Sequence, residues 1–205
     1  MNLIMFVGDP FSGKSFLADK IKSFLEAEGN AVFILKTVVT RYKGKKNILF
    51  TAQNVDESIE STRIEKDKSY RALLPLAKRV LKQGGVPILD ATFHKKYRRE
   101  WIYRFCKKNN INLLVIHAIF TDKNAIIEQM VLRQANQDYK DNLLASIEAY
   151  ELMVKQKDLL SAQEIQEYNL SVIQFNRDEK CINLSNFKHD VAFFNKVAGF
   201  LQKNI

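Results

Sequence analysis

The chain has 205 residues, 46% apolar and 27% charged, a profile of a soluble globular domain that excludes disordered and collagen-like chains. With 32 Lys and Arg against 23 Asp and Glu, the formal charge is +9, which favours anionic partners such as nucleotides, phosphorylated metabolites or nucleic acid without naming one. Two cysteines, Cys106 and Cys181, exclude a disulfide framework, and the absence of 18 consecutive apolar residues argues against a membrane span; cytoplasm is the expected compartment.

In chain order, Leu3-Ile4-Met5-Phe6-Val7 reads as a buried strand. It runs into Gly8-Asp9-Pro10-Phe11-Ser12-Gly13-Lys14-Ser15, which fits G-x-x-x-x-G-K-[ST], and Leu17, Ile21, Phe24 and Leu25 then recur at helical spacing. Strand, glycine loop and helix together form a cradle for a polyphosphate. Gly8 and Gly13 let the backbone turn its N–H groups inward, and the helix N-terminus adds favourable partial charge. Lys14 is expected to reach the β- and γ-phosphates and Ser15 to ligate Mg²⁺, so the nucleotide-contacting set runs through Gly8, Asp9, Pro10, Phe11, Ser12, Gly13, Lys14, Ser15 and Phe16. ATP and Mg²⁺ are the expected cofactors.

Glu28-Gly29-Asn30 ends the first helix, and residues 31–35 read as a second strand. Residues 36–46 follow with Lys36, Arg41, Lys43, Lys45 and Lys46 and no acid. Such a run is either a solvated loop or, because it leaves the carboxyl end of a strand, a surface facing an anionic substrate. Residues 47–52 are a short strand or a loop. From Asp56 the chain turns acidic and helical; Leu73, Leu74, Ala77, Val80 and Leu81 form its apolar stripe, and Pro75 is expected to kink or restart the helix.

Val86-Pro87-Ile88-Leu89-Asp90 is a strand tipped by an acid, the place from which a carboxylate holds Mg²⁺ beside the phosphate loop. Residues 95–108 form a basic helix whose apolar face is Trp101, Ile102, Phe105 and Cys106; Arg98 and Arg99 are candidates to lean towards a substrate. His94 reads as a loop residue and His117 as an interior histidine of the strand at 112–120. A helix from Ala125 ends near Arg133, and the polar segment 133–141 resembles a lid. A further helix, a last main strand at 171–175 and an amphipathic terminal helix complete the chain, with no repeat and no linker: one domain, residues 1–205. Strands and helices alternate throughout, the signature of a mostly parallel α/β sheet between helical layers.

Together the phosphate loop, "RALLPLAKRVLKQGGVPILDATFHKKYRREW" and "SIEAYELMVKQKD" resemble the small AAA-type P-loop kinases: polynucleotide 5′-kinase, gluconate and adenylylsulfate kinases and the zeta-toxin-like group. The resemblance implies a three-layer α/β sandwich of the P-loop nucleoside triphosphate hydrolase fold, with five parallel strands in the order 2-3-1-4-5. It also implies transfer of the ATP γ-phosphate to a hydroxyl. On it, Lys14, Asp90 and Arg133 carry the catalysis, Ser15 and Asp90 hold the metal, and Asn176 and Arg177 lie near the adenine. Lys36, Arg41, Arg98 and Arg99 would bind an anionic acceptor, a polynucleotide 5′-end or a small phosphorylated or acidic molecule.

A related likeness is to P-loop proteins acting on tRNA, through Glu65, Lys66 and Arg71 ahead of the acidic strand end. One departure stands out. The group commonly carries an aspartate just after the second strand, where this chain reads Lys36-Thr37-Val38. Asp90 doubling as base, the segment with Asp56 and Glu57 folding back, or a nucleotide-dependent module without phosphoryl transfer all fit that gap.

Overall fold

A computed structural model of the chain describes residues 1–37, 49–50, 55–135, 143–144 and 146–204. Its core is a sheet made of β1 (Asn2–Val7), β2 (Val32–Lys36), β4 (Val86–Asp90), β5 (Asn112–Ile119), β7 (Ser171–Asn176) and β8 (Cys181–Ser185), in the order β2-β4-β1-β5-β7-β8. The first five are parallel and, counted within this sheet alone, follow the 2-3-1-4-5 order that the resemblance implied; β8 adds a sixth, antiparallel edge strand paired to β7, which it did not. A second, two-stranded sheet pairs β3 (Leu49–Phe50) with β6 (Leu143–Leu144), which settles residues 49–50 as strand.

Alternation along the strands divides the core between the two faces of the sheet. Ile4, Phe6, Ile88, Leu114, Ile116 and Ile173 face α1 (Lys14–Ala27) and α7 (Ala192–Asn204), where they meet Leu17, Ile21, Leu25, Phe194, Val197 and Leu201. Leu3, Met5, Leu89, Val115 and Val172 face the other way, against Tyr70, Leu73, Ala77 and Leu81 of α2 (Glu60–Lys82) and Ile102, Tyr103 and Cys106 of α3 (Lys96–Lys108). Each large apolar side chain buried this way contributes about 1.5–3 kcal/mol. Helix α2 continues through Pro75 without a break, so the proline ends nothing.

A third cluster sits over the carboxyl edge of the sheet. There Phe11, Val55 and Phe120 pack with Ile126 and Met130 of α4 (Lys123–Ala135) and Ala149 and Tyr150 of α5 (Ile147–Lys155). The short helix α6 (Ala162–Glu167) then leads into β7. No described helix is long and apolar enough to cross a membrane. Most of the lid-like segment 133–141, and Arg41 with the rest of the basic run beyond Thr37, lie outside the described residues.

Candidate active site

The parallel register carries the ends of β1 and β4 to one edge, where Ile4 pairs with Ile88 and Met5 with Leu89. The loop after Val7 therefore emerges beside Asp90, at the carboxyl edge where ligands bind in sheets of this type. Gly8 has φ 144° and Gly13 φ 88°, and a Cβ at Gly8 would stand 2.2 Å from the Ala118 carbonyl oxygen. Only glycine fits there. Phe11 also holds positive φ, at 67°, pinned by the Arg177 guanidinium, which donates to its carbonyl at 2.8 Å. Gly13 is the N-cap of α1 and offers no side-chain acceptor, so the first-turn amides face the loop's concavity as an anion site.

Lys14 is buried, and its Nζ donates to the Asp9 carbonyl and, at 3.2 Å, to Ser12 Oγ. Burial lowers its pKa to about 8, although Asp90 and Asp9 pull the other way; Arg133 lowers it further. An ammonium so poorly compensated is stabilised by the negative charge of a bound polyphosphate.

Ser15 Oγ donates to Asp90 Oδ2 at 2.7 Å, and Lys36 Nζ lies 3.6 Å from the same oxygen. Among the described residues no three His, Cys, Asp or Glu side chains gather into a metal cluster. A hydroxyl beside one carboxylate fits Mg²⁺, which takes its remaining ligands from phosphates and water. Ser15 and Asp90 would hold it, and it would supply charge neutralisation to the β- and γ-phosphates.

Of the other predicted residues, Arg133 and Arg177 contact the loop at Phe11. The Arg133 guanidinium sits 5.0 Å from the Phe11 ring centroid, over the loop. Arg177 stacks on Phe120 at 4.2 Å and donates to Gln129 Oε1 at 3.2 Å, beside a groove lined by Phe120, Thr121, Asp122, Arg177 and Asp178. Asn176 spends its Oδ1 on the turn into β8, accepting from the Asp178 and Glu179 amides at 3.0 and 3.3 Å. Phe16 points out of α1, 62% exposed, with Lys20 over its ring.

Arg98 and Arg99 are corrected. Both are fully buried and paired with acids, which turns them away from any surface a substrate could reach. Arg98 reaches Asp67 at 2.8 Å and both oxygens of Glu57, at 3.0 and 2.8 Å. Arg99 makes a two-pronged pair with Glu164 at 2.8 and 2.7 Å and donates to the carbonyls of Phe93, Asp158 and Leu159. Their role is to tie α3 to residues 57, 67 and 158–164.

Sequence reasoning missed two features. Lys157 lies 2.5 Å from Asp9 Oδ2, closing the far side of the phosphate loop; nothing in "VKQKD" sets it apart from Lys155. His94 does lie in a loop, as read, but is buried there between Thr92 and Glu57, a contact that the sequence did not signal.

A model of the 6-phosphofructo-2-kinase family matches residues 1–205 of this chain. The protein belongs to the 6-phosphofructo-2-kinase family.

The family is named for a kinase, in keeping with the phosphate loop of this chain. The chain is 24% identical over 209 residues to a Saccharomyces cerevisiae fructose-2,6-bisphosphatase, a match covering 98% of this chain and 44% of the yeast protein. It is 28% identical over 156 residues to a Caenorhabditis elegans 6-phosphofructo-2-kinase/fructose-2,6-bisphosphatase, covering 70% of this chain and 33% of the relative. The chain thus spans less than half the length of these relatives. Its fold matches the crystal structure of Chaetomium thermophilum Kti12 in complex with ADP-AlF3 with a TM-score of 0.68 and 17% identity, over 98% of this chain and 96% of that one.

Proposed function

We propose that this member of the 6-phosphofructo-2-kinase family passes the γ-phosphoryl group of ATP·Mg²⁺ to a hydroxyl of a phosphorylated sugar, with fructose 6-phosphate as the first candidate. The observation that carries this reading is the contact of Ser15 with Asp90 beside an under-compensated Lys14. Phosphoryl transfer asks the protein mainly to position groups and neutralise charge, and these groups are arranged for that. Lys14 and the loop amides stabilise charge that moves onto the leaving β-phosphate oxygen. Arg133 over Phe11 stands where it can close on the phosphates. Lys36 and Lys157, both partly exposed at the same edge of the sheet, are the described cations placed to meet a second phosphate on the acceptor.

Incubation with γ-labelled ATP and, separately, fructose 6-phosphate, gluconate, adenylylsulfate and a 5′-hydroxyl oligonucleotide tests the reading. The expected result is labelled sugar bisphosphate, lost roughly 100-fold or more in Lys14→Ala. Label passing to the oligonucleotide and not to the sugar phosphate overturns the acceptor class. Tight ATP binding with transfer to none of them favours the alternative of a nucleotide-dependent switch, to which the Lys36–Asp90 pair and the acid-free end of β2 lend support.

A further inference from the structure

The end of the sheet opposite the phosphate loop carries a second cleft, with a volume of about 620 Å³. It lies where β5 and β7 begin, bounded by the second half of α3, the end of α6 and the segment between β8 and α7. Strand β5 has eight residues, so roughly 25 Å of sheet separates this cleft from the catalytic edge. Tyr103 and Tyr168 line it with their rings packed 4.8 Å apart. Both hydroxyls are spent elsewhere, that of Tyr103 on Glu164 at 2.8 Å and that of Tyr168 on Glu100. What the two tyrosines offer the cleft is therefore aromatic surface.

The charges around the cleft do not cancel. Arg104 is paired with Glu100 at 2.9 Å and Glu167 with Lys96 at 3.5 Å. Lys107 and Lys188 remain, and neither pairs with an acid among the described residues. Lys107 sits in the last turn of α3, where the helix dipole favours a cation whether or not anything binds. Lys188 has no such reason. It lies outside any helix and is half-buried, and its amide donates to Ser171 Oγ at 3.0 Å, which fixes it at the head of β7. Two amides complete the lining. Asn112 gives its Nδ2 to Asn2 and Asn169 its Oδ1 to Asn186, which leaves an acceptor on the first and a donor on the second.

We infer that this cleft is a second ligand site, for a flat aromatic ring that carries a phosphate, the chemistry of a nucleoside monophosphate. The ring packs beside Tyr103 and Tyr168, its edge meets the two amides, and the phosphate is held by Lys107 and Lys188. A bare phosphate would leave the aromatic surface unused, and an aliphatic chain would leave both amides without partners. The volume is that of a site for a small organic ligand. The site is separate from the phosphate loop, so both can be filled at once, and the inference does not depend on which acceptor the catalytic edge takes.

Calorimetric titration of AMP into the protein, with a non-hydrolysable ATP analogue and Mg²⁺ at saturation to fill the phosphate loop, tests this. One AMP is expected to bind per chain, and adenosine and ribose 5-phosphate each at least roughly tenfold more weakly. Lys107→Glu combined with Lys188→Glu is expected to weaken AMP roughly 100-fold, and Tyr168→Ala roughly tenfold, with the affinity for the ATP analogue unchanged in both. AMP binding that the analogue abolishes, or none at all, overturns the proposal. So does AMP affinity that the two lysine changes leave unmoved. Ribose 5-phosphate binding as tightly as AMP makes this a plain anion site, adenosine doing so removes the lysines from it, and either result overturns the assignment. Tyr168 packs on Tyr103, so its loss can cost stability. Lys107 is exposed and Lys188 half-buried, so their double variant is expected to keep the Tm of the wild type and decides the matter by itself.

Discussion

Ser15 and Asp90 are 75 residues apart in sequence and 2.7 Å apart in space, a hydroxyl donating to a carboxylate at the mouth of the phosphate loop. Nothing local holds them together. Parallel pairing of β1 with β4 sets both at the same height on the carboxyl edge, and Lys36, which pairs with Asp90 across β2 and β4, joins them.

Asp90→Asn keeps the shape of this contact and removes its charge. With Mg²⁺ present, ATP affinity is expected to fall about tenfold and phosphoryl transfer about 100-fold. Without Mg²⁺, ATP is expected to bind the variant at least as well as the wild type, because a negative charge near the phosphates has gone. Calorimetric titration with and without the metal checks both; equal losses in the two conditions contradict a metal role for Asp90.

The buried ammonium of Lys14 makes the apo protein and its ATP complex respond to pH in opposite ways. Folding lowers the Lys14 pKa from 10.5 to about 8, so between these values the unfolded chain holds a proton that the folded chain has shed. This group's contribution to stability therefore rises with pH across that window, and the penalty for the buried charge is fully present below it. ATP needs the charged form, so its affinity is expected to decline as pH rises above about 8. Melting curves and ATP titrations from pH 7 to 10, with Lys14→Met as the control that lacks both slopes, measure the effect.

Gly8 and Gly13 differ in what replacing them costs. Gly13→Ala places a methyl at ordinary contact distance, 3.8 Å from Arg177 Cδ, so only the left-handed backbone is penalised, by about 1–2 kcal/mol. Gly8→Ala drives a Cβ to 2.2 Å from a backbone oxygen of β5 and forces the loop off the strand. The expected order is a modest fall in Tm for Gly13→Ala and loss of both stability and ATP binding for Gly8→Ala. Similar behaviour of the two contradicts the close approach.

Arg99 and Glu164 form an ion pair with both side chains inaccessible, joined by the Tyr103 hydroxyl. Glu164→Gln leaves a buried guanidinium without a counter-charge and is expected to destabilise the fold by about 3–5 kcal/mol. Replacing both, Arg99→Met with Glu164→Leu, is expected to recover much of that loss. Denaturant unfolding distinguishes this from a substrate role, in which kcat or KM would change with stability intact.

Much of the site was written in neighbouring residues. The phosphate loop was legible because its chemistry needs glycines, lysine and serine at fixed spacing in one turn of chain, and Asp90 because an acid ends an apolar run. Arg98 and Arg99 misled because charge on a helix says nothing about which way it faces; both turn inward only because Glu57, Asp67 and Glu164, from distant segments, are there to receive them. The antiparallel strand β8 was missed because residues 181–185 are short, only partly buried, and gain their strand character from pairing with β7.

By itself, then, the sequence determined a nucleotide-binding loop, a parallel α/β sheet and the acid beside the loop, since each depends on spacing and periodicity along a few neighbouring residues. Only the tertiary structure decided which cations are taken up by buried acids, that Lys157 closes on Asp9, and that Glu57 pairs with His94. Those are matters of compensation between buried charges and hydrogen-bond donors far apart in the chain, and such pairing is fixed by packing rather than by the order of residues.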